Sequence, residues 1–161
     1  MEYLLNFCQE NQASSILIFS SRSATFLEPL HNYLLKSKKL PKAQIKEIGL
    51  ITGSISLKER LKLVNSFQKG EIKILLCNIQ SAGVGLNLSQ ADMVVFADRA
   101  WSPAENEQAE DRFLSTQTEE VKPKLVIDLI LKESLNEKVM KLLKRKENIT
   151  RLVINDPNIL L

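Results

Sequence analysis

The strongest constraint on the fold of this chain is a set of short apolar runs that scarcely alternate with polar residues. There are five of them: ILIF (16–19), IGLI (48–51), IKILLC (72–77), MVVFA (93–97) and LVIDLIL (125–131). A nearly continuous apolar run suits a strand that is buried on both faces, as in a parallel sheet covered by helices. The runs therefore predict at least five parallel strands.

Amphipathic segments with marked starts separate these runs. One apolar stripe is predicted on residues 57–68, and its members are Leu57, Leu61, Val64 and Phe67. A second stripe lies within residues 24–36 and comprises Phe26, Leu30 and Leu34. Three stretches fit the Ser-x-x-Glu capping box that begins many helices, at Ser56–Glu59, Ser102–Glu105 and Ser134–Glu137. Strands that alternate with capped helices predict a doubly wound α/β sheet with helices on both faces.

Length and composition limit the class of protein. A chain of 161 residues suits one domain, here predicted over residues 1–150, with a C-terminal tail at 151–161 and a first helix on the sheet edge. No apolar run approaches the roughly 18 residues that span a bilayer, so we expect no membrane partner. Two distant cysteines, Cys8 and Cys77, suggest neither a disulfide frame nor a metal site, and favour an intracellular setting, cytoplasmic or nuclear. The net charge of +3 permits a polyanionic partner without requiring one.

Small and hydroxyl residues follow the first three predicted strands. These stretches are FSSRS (19–23), TGSIS (52–56) and NIQSAGVGLNL (78–88). The carboxyl ends of parallel strands form one edge of a sheet, where backbone N–H groups and hydroxyls can bind anions such as phosphate. Each stretch alone is more often an ordinary turn. The sequence has no G-x-x-x-x-G-K-[ST] loop, so it lacks the usual means of holding a nucleotide by itself.

In their order along the chain, the motifs are far more specific than any one of them. GLITGSISLKER, followed by ILLCNIQSAGVGLNLSQADMVVFADRAWSPAENEQAEDR, strongly resembles the second RecA-like lobe of superfamily-2 helicases, and within these the Swi/Snf-type DNA-dependent ATPases. The resemblance rests on the matching residues Gly83, Gly85, Asn87, Leu88, Ala91, Asp92, Asp98, Trp101, Pro103, Gln108, Ala109, Asp111 and Arg112. It covers roughly residues 13–150 and implies a P-loop NTPase helicase C-terminal domain.

The resemblance also implies a division of labour between two lobes. An N-terminal lobe, in cis or in trans, would supply the phosphate-binding loop and hold Mg²⁺, while this lobe closes over ATP. Gln108 and Arg112, four residues apart on one helix face, would act on ATP, with Gly83 and Gly85 lining the same cleft. The residues expected at the DNA backbone are Ser20, Ser21, Arg22, Gly53, Ser54, Asn78, Gln80 and Ser81. Such contacts carry no base specificity, so we expect salt-sensitive binding that tolerates any sequence.

Two departures from the family pattern bear on activity. The pattern usually runs Asp-Arg-x-x-Arg, but Ser115 stands in place of the second arginine and is uncharged and too short to substitute. Relatives often have Ser-Thr before the glycines, where this chain has Asn78 and Ile79. Three explanations remain open: slow hydrolysis that uses Arg112 or a basic residue of the partner lobe, a degenerate lobe that binds without efficient turnover, or an inactivating change at Ser115.

Two other function classes compete with the helicase lobe. One is a non-catalytic nucleic-acid-binding or scaffolding module built on a degenerate helicase lobe. The other, a flavodoxin-like or receiver domain, is less favoured because no flavin loop or acidic cluster follows the strands. For Trp101, the role of a packing anchor is favoured over that of a base-stacking platform.

Overall fold

A computed structural model describes residues 1–41, 48–82, 85–114, 124–130 and 137–145. Its centre is a five-stranded sheet in which every neighbouring pair is parallel, in the order β2-β3-β1-β4-β5. The strands are β1 (Ile16–Ser20), β2 (Ile48–Ile51), β3 (Ile74–Asn78), β4 (Met93–Phe96) and β5 (Leu125–Asp128). Of the three inner strands, β1 and β3 are buried along their whole length, as the apolar runs predict.

Helices cover both faces of this sheet. They are α1 (Glu2–Glu10), α2 (Glu28–Leu35), α3 (Leu57–Gln68), α4 (Ile79–Ala82), α5 (Pro103–Leu114) and α6 (137–145), and a π-helical turn, Ser23–Leu27, leads into α2. One core cluster joins α1 and α2 to side chains such as Ile16, Ile18 and Leu76. The opposite cluster joins α3 and α5 to side chains such as Leu17 and Phe19. Alternate residues of β1 therefore enter opposite cores, and the predicted doubly wound parallel sheet is confirmed.

Two details of the packing differ from expectation. The first helix does not pack on the sheet edge, because its Leu4, Leu5 and Cys8 are buried in a core cluster on one face of the sheet. The predicted stripe on α3 is half wrong. Val64 and Phe67 are buried, but Leu57 and Leu61 are 59% and 48% exposed.

Local signals for helix starts had mixed outcomes. At α3 the capping box is present in full, since Ser56 and Glu59 each bond the other's backbone N–H. α5 begins at Pro103, directly after Ser102. The third candidate start, at Ser134, lies outside the described residues, as does the predicted tail 151–161. Within the described ranges, no helix is long and apolar enough to cross a bilayer.

An arginine whose side chain is only 12% exposed joins the last strand to the rest of the domain. Arg99 follows β4, and its guanidinium bonds Asp128 at the end of β5 at 2.6 Å and 3.0 Å and also pairs with Glu110 of α5. Its guanidinium carbon lies 3.6 Å from the centre of the Phe96 ring. Val139 and Leu143 of α6 are also buried. The two cysteines are buried as well, and burial raises the pKa of both thiols to about 12, so they serve as small core residues.

Candidate nucleic-acid and nucleotide interface

An open cavity of about 420 Å³ lies where the neighbouring strands β1, β2 and β3 end. Its lining comes from three strand-end turns and from α3, and comprises Ser21, Ser23, Gly53, Arg60, Asn78, Gln80 and Ser81. Five of these, all except Ser23 and Arg60, were predicted from the sequence to face a DNA backbone. The fold thus brings together residues that are up to 60 positions apart in the chain.

The turn after β1 is held by a buried carboxylate. Asp98, just beyond β4, has a side chain only 4% exposed. Its oxygens accept hydrogen bonds from the hydroxyls of Ser20 and Ser21, from the Ser21 N–H at 2.9 Å, and from the Arg22 guanidinium at 3.3 Å. Ser20 is fully buried and supports the turn from beneath the surface. Arg22, whose side chain is 52% exposed, stays accessible to an anion.

The turns after β1 and β3 are joined by one side chain. The amide nitrogen of Asn78 donates to the Ser21 carbonyl at 3.2 Å and to the Ser23 hydroxyl at 2.9 Å. The amide oxygen accepts from the N–H groups of Gln80 at 3.0 Å and Ser81 at 3.3 Å, which begin α4. Asn78 and Ser81 are buried, and Gln80 is exposed.

The turn after β2 is joined to the same cavity by an arginine. Arg60 of α3 donates to the backbone carbonyls of Thr52 and Ser81, each at 3.4 Å. The Thr52 and Ser54 hydroxyls share a hydrogen bond of 2.7 Å, while Gly53 and Ser54 are exposed. Arg60 therefore brings positive charge to the floor of the cavity.

The predicted nucleotide-facing residues lie on and beside α5. Gln108 is exposed and Arg112 is half-buried, one helical turn apart. The Arg112 carbonyl accepts the N–H of Leu88 at 2.9 Å, which ties the glycine-containing loop to this helix. Gly85 in that loop is exposed and has a φ of +56°, a left-handed conformation that favours glycine. Gly83 and Ser115 lie outside the described residues.

One side-chain contact connects the two predicted regions. The Gln80 amide, beside the cavity, donates to the Glu105 carboxylate of α5 at 3.5 Å. The buried face of α5 includes Asn106, which bonds both the N–H and the carbonyl of Ala100 and fixes the entry to the helix. The strand-end turns and the helix with Gln108 and Arg112 therefore form one packed unit.

Sequence reasoning missed several residues that shape this site. Ser23 and Arg60 were not singled out, and Asp98 was noted only as a motif member. The sequence signal that could have revealed this arrangement was Asp98, an acid at the end of a predicted strand. A buried carboxylate needs hydrogen-bond donors, and the serine-rich turn after β1 supplies them. Trp101 differs from its expected role: it is 56% exposed at the start of the α5 region and is not buried as a packing anchor.

Comparison with known proteins identifies the family. The family described as helicase conserved C-terminal domain matches residues 1–116. The chain belongs to this family. Its relatives place it among the Swi/Snf-type superfamily-2 ATPases, as the RecA-like C-terminal lobe that the sequence resembles.

Three relatives illustrate the match. The human chromatin-remodeling ATPase INO80 is 29% identical over 150 residues, which are 92% of this chain and 9% of that protein. The DNA repair protein RAD5 of Saccharomyces cerevisiae is 31% identical over 156 residues, 94% of this chain and 13% of the relative. The TATA-binding protein-associated factor MOT1 of the same yeast is 38% identical over 109 residues, which are 67% of this chain and 6% of that protein. This helicase domain thus spans only a small part of each relative.

A solved structure supports the fold independently. The crystal structure of the C-terminal part of the Fun30 ATPase domain superimposes with a TM-score of 0.66 at 24% identity, covering 88% of this chain and 43% of that one. At this identity the likeness concerns the fold, which is RecA-like.

Proposed function

We propose that this domain is the C-terminal lobe of an ATP-dependent DNA helicase or translocase and works only with an N-terminal lobe. The observation that carries the proposal is the cavity at the strand ends, which collects residues from three turns around one opening. Its exposed residues are Gln80, with a side-chain amide, and Gly53, with free backbone; Ser21 and Ser23 are half-buried, and its charged member is Arg60. Such donors suit the phosphate oxygens of a nucleic-acid backbone.

DNA would be bound through its backbone and without base specificity. Arg22, Gly53, Ser54 and Gln80 are exposed and would make the direct contacts, while Ser21, whose N–H and hydroxyl both donate to Asp98, would support the turn. Ser20, Asn78 and Ser81 are buried and would support them. Because each neutralised phosphate releases counterions, affinity should fall steeply with salt and depend little on sequence.

ATP would be bound between this lobe and its partner. Gln108 and Arg112 of α5 would face the nucleotide, and the loop with Gly83 and Gly85 would line the same cleft. A guanidinium and an amide on one helix face fit the charge on a γ phosphate, which such groups stabilise during transfer. Mg²⁺ would be held by the N-terminal lobe. The isolated domain should therefore bind ATP very weakly and not hydrolyse it.

A two-lobe assay tests the proposal. The 161-residue chain is fused to, or mixed with, an N-terminal lobe from a Swi/Snf-type relative, and ATP hydrolysis is measured with and without DNA. We expect DNA-stimulated hydrolysis that falls at least tenfold in Arg112→Ala and is unchanged in Glu107→Ala, an exposed site on the same helix. Hydrolysis by the purified chain alone would contradict the division of labour.

A second candidate is a non-catalytic nucleic-acid-binding or scaffolding module. It is favoured by Ser115, which removes an arginine that the family usually carries. In the two-lobe assay this candidate predicts that salt-sensitive DNA binding persists while hydrolysis stays absent for the unsubstituted chain. Both candidates are consistent with an intracellular, cytoplasmic or nuclear protein.

A further inference from the structure

We infer that Asn78 is a positioning residue, which sets the spacing between the two DNA-facing turns and makes no contact with DNA itself. The inference rests on the proposed function, since it concerns how this lobe arranges its phosphate contacts.

The hydrogen bonds of Asn78 account for every polar group of its side chain. An asparagine amide has two N–H donors and two acceptor lone pairs. Both donors are used, by the Ser21 carbonyl and the Ser23 hydroxyl, and both lone pairs are used, by the N–H groups of Gln80 and Ser81. Two backbone N–H groups at the oxygen also fix which end of the amide is which. Nothing on this side chain remains to bind a phosphate.

The residue that follows Asn78 supports the same inference. Ile79 is 1% exposed and belongs to the core cluster between the sheet, α3 and α5. Neither residue of this pair can therefore offer a group to DNA. The surface contacts pass to Gln80 on one turn and to Arg22, whose side chain is exposed, on the other. Their separation matters because successive phosphates of a strand are regularly spaced, and Asn78 fixes that separation.

Asn78 has two roles: its oxygen accepts from the N–H groups that begin α4, and its nitrogen donates to Ser21 and Ser23. Serine at this position would keep the first role and lose the second. A serine hydroxyl is a good N-terminal cap, so it could still accept from the N–H groups that begin α4. It is one heavy-atom bond shorter than asparagine and has a single donor, so it could not also reach both Ser21 and Ser23. Asn78→Ser should keep the fold and release the link between the turns.

DNA binding by the 161-residue chain tests the inference. Four proteins are compared by fluorescence anisotropy with a labelled duplex across a salt series: the unsubstituted chain, Asn78→Ser, Ser23→Ala and the double variant. We expect Asn78→Ser to weaken binding about three- to tenfold, a typical effect of losing one or two hydrogen bonds. The slope of log affinity against log salt should lose about 0.9, the equivalent of one phosphate contact. Ser23→Ala should act in the same direction with a smaller effect.

The double variant separates positioning from direct contact. If Ser23 acts through Asn78, adding Ser23→Ala to Asn78→Ser changes nothing further, whereas independent contacts would give additive losses and overturn the inference. Asn65→Ser, at an exposed site on α3, is the composition-matched control and should bind like the unsubstituted chain.

The remaining outcomes are distinguishable. If the unsubstituted chain shows no salt-dependent binding, the proposed DNA contacts of this lobe fail and the inference fails with them, whereas the two-lobe ATPase assay tests the proposed function separately. If it binds and both single variants keep its affinity and salt slope, the inference alone is overturned. Should Asn78→Ser not fold, Ser23→Ala decides, because a folded Ser23→Ala protein with unchanged DNA affinity also overturns the link.

Discussion

The Asp98 carboxylate accepts two hydrogen bonds from Ser21, one from its N–H at 2.9 Å and one from its hydroxyl. The two residues are 77 positions apart, and the contact joins the end of β4 to the turn after β1. The same carboxylate also accepts from Ser20 and Arg22. One buried acid thus holds a turn that we propose faces DNA, and its removal has consequences for stability and for binding.

Asp98→Ala should therefore destabilise the domain. It leaves the buried Ser20 hydroxyl and the Ser21 N–H without their acceptor, and such losses cost roughly 2–3 kcal/mol in total. The free energy of unfolding, measured by urea denaturation, reports the change. Asp111→Ala, which removes an exposed carboxylate on α5, is the control and should stay within about 0.5 kcal/mol of the unsubstituted chain. Equal stability of the two variants would contradict the structural role of Asp98.

Gly49 in β2 should not tolerate a side chain. A Cβ there would lie 2.8 Å from Leu75 Cδ1 and 3.3 Å from Ile72 Cδ1, both in the core beneath α3. We expect Gly49→Val to cost about 1–3 kcal/mol through overpacking, measured as a shift in the urea midpoint at constant slope. Gly53→Ala is the matched control, since its nearest neighbour, Ser81 Oγ, is 4.0 Å away. A destabilisation as large at Gly53 would show that backbone conformation, and not packing, limits these sites.

The fold was largely predictable because strands that are buried on both faces of a sheet have nearly continuous apolar sequences. All five apolar runs became strands, although the runs at 72–77 and 125–131 overestimate or shift the ends. Pairing explains the last case: among the described residues, β5 lies at the edge of the sheet and pairs with Met93–Phe96 of β4, so its length follows its neighbour. The predicted apolar stripe on α3 was half wrong because the apolar residues of that helix do not all lie on the face that meets the sheet. The sheet packs against Leu63, Val64 and Phe67, and leaves Leu57 and Leu61 in solvent.

The site was predictable in location but not in its internal bonding. Strand-end motifs in a parallel sheet share an edge whatever their order, so the gathering of Ser21, Gly53 and Gln80 followed from the fold class. Which polar groups face solvent and which bond one another depends on distances of a few tenths of an ångström between turns. Asn78 and Ser20 were therefore predicted as surface contacts, although both are buried and bonded inside the protein.

The capping box at α3 should make stability depend on pH. The Ser56 hydroxyl, at 2.8 Å, and the Ser56 N–H, at 3.2 Å, both donate to the Glu59 carboxylate and lower the pKa of that carboxyl group. A lowered pKa in the folded state means that the stabilisation is complete above the unfolded-state pKa, near 4.5, and is lost as pH falls through the folded-state value.

Glu59→Gln checks this sign. The substitution keeps the size and a hydrogen-bond acceptor but removes the charge, so its Tm should lie slightly below that of the unsubstituted chain at neutral pH. The two melting curves should converge as pH falls below the unfolded-state pKa, near 4.5, and through the lowered pKa of Glu59. Lys58→Gln changes a neighbouring exposed charge without affecting the cap and should show no such convergence. A Tm difference that is constant from neutral to acidic pH would contradict the titration of Glu59.

The last prediction concerns the missing arginine at position 115. If this lobe hydrolyses ATP slowly because Ser115 replaces a phosphate-facing guanidinium, then Ser115→Arg should raise kcat in the two-lobe assay by at least tenfold, since such a group can contribute about 10³–10⁵ in rate. Ser115→Lys supplies the charge without the forked donor geometry and should restore less. Adding Arg112→Ala to Ser115→Arg tests whether the gain needs the first arginine. If Ser115→Arg leaves hydrolysis absent while DNA binding persists, the loss is not confined to one side chain, and the non-catalytic module becomes the better description.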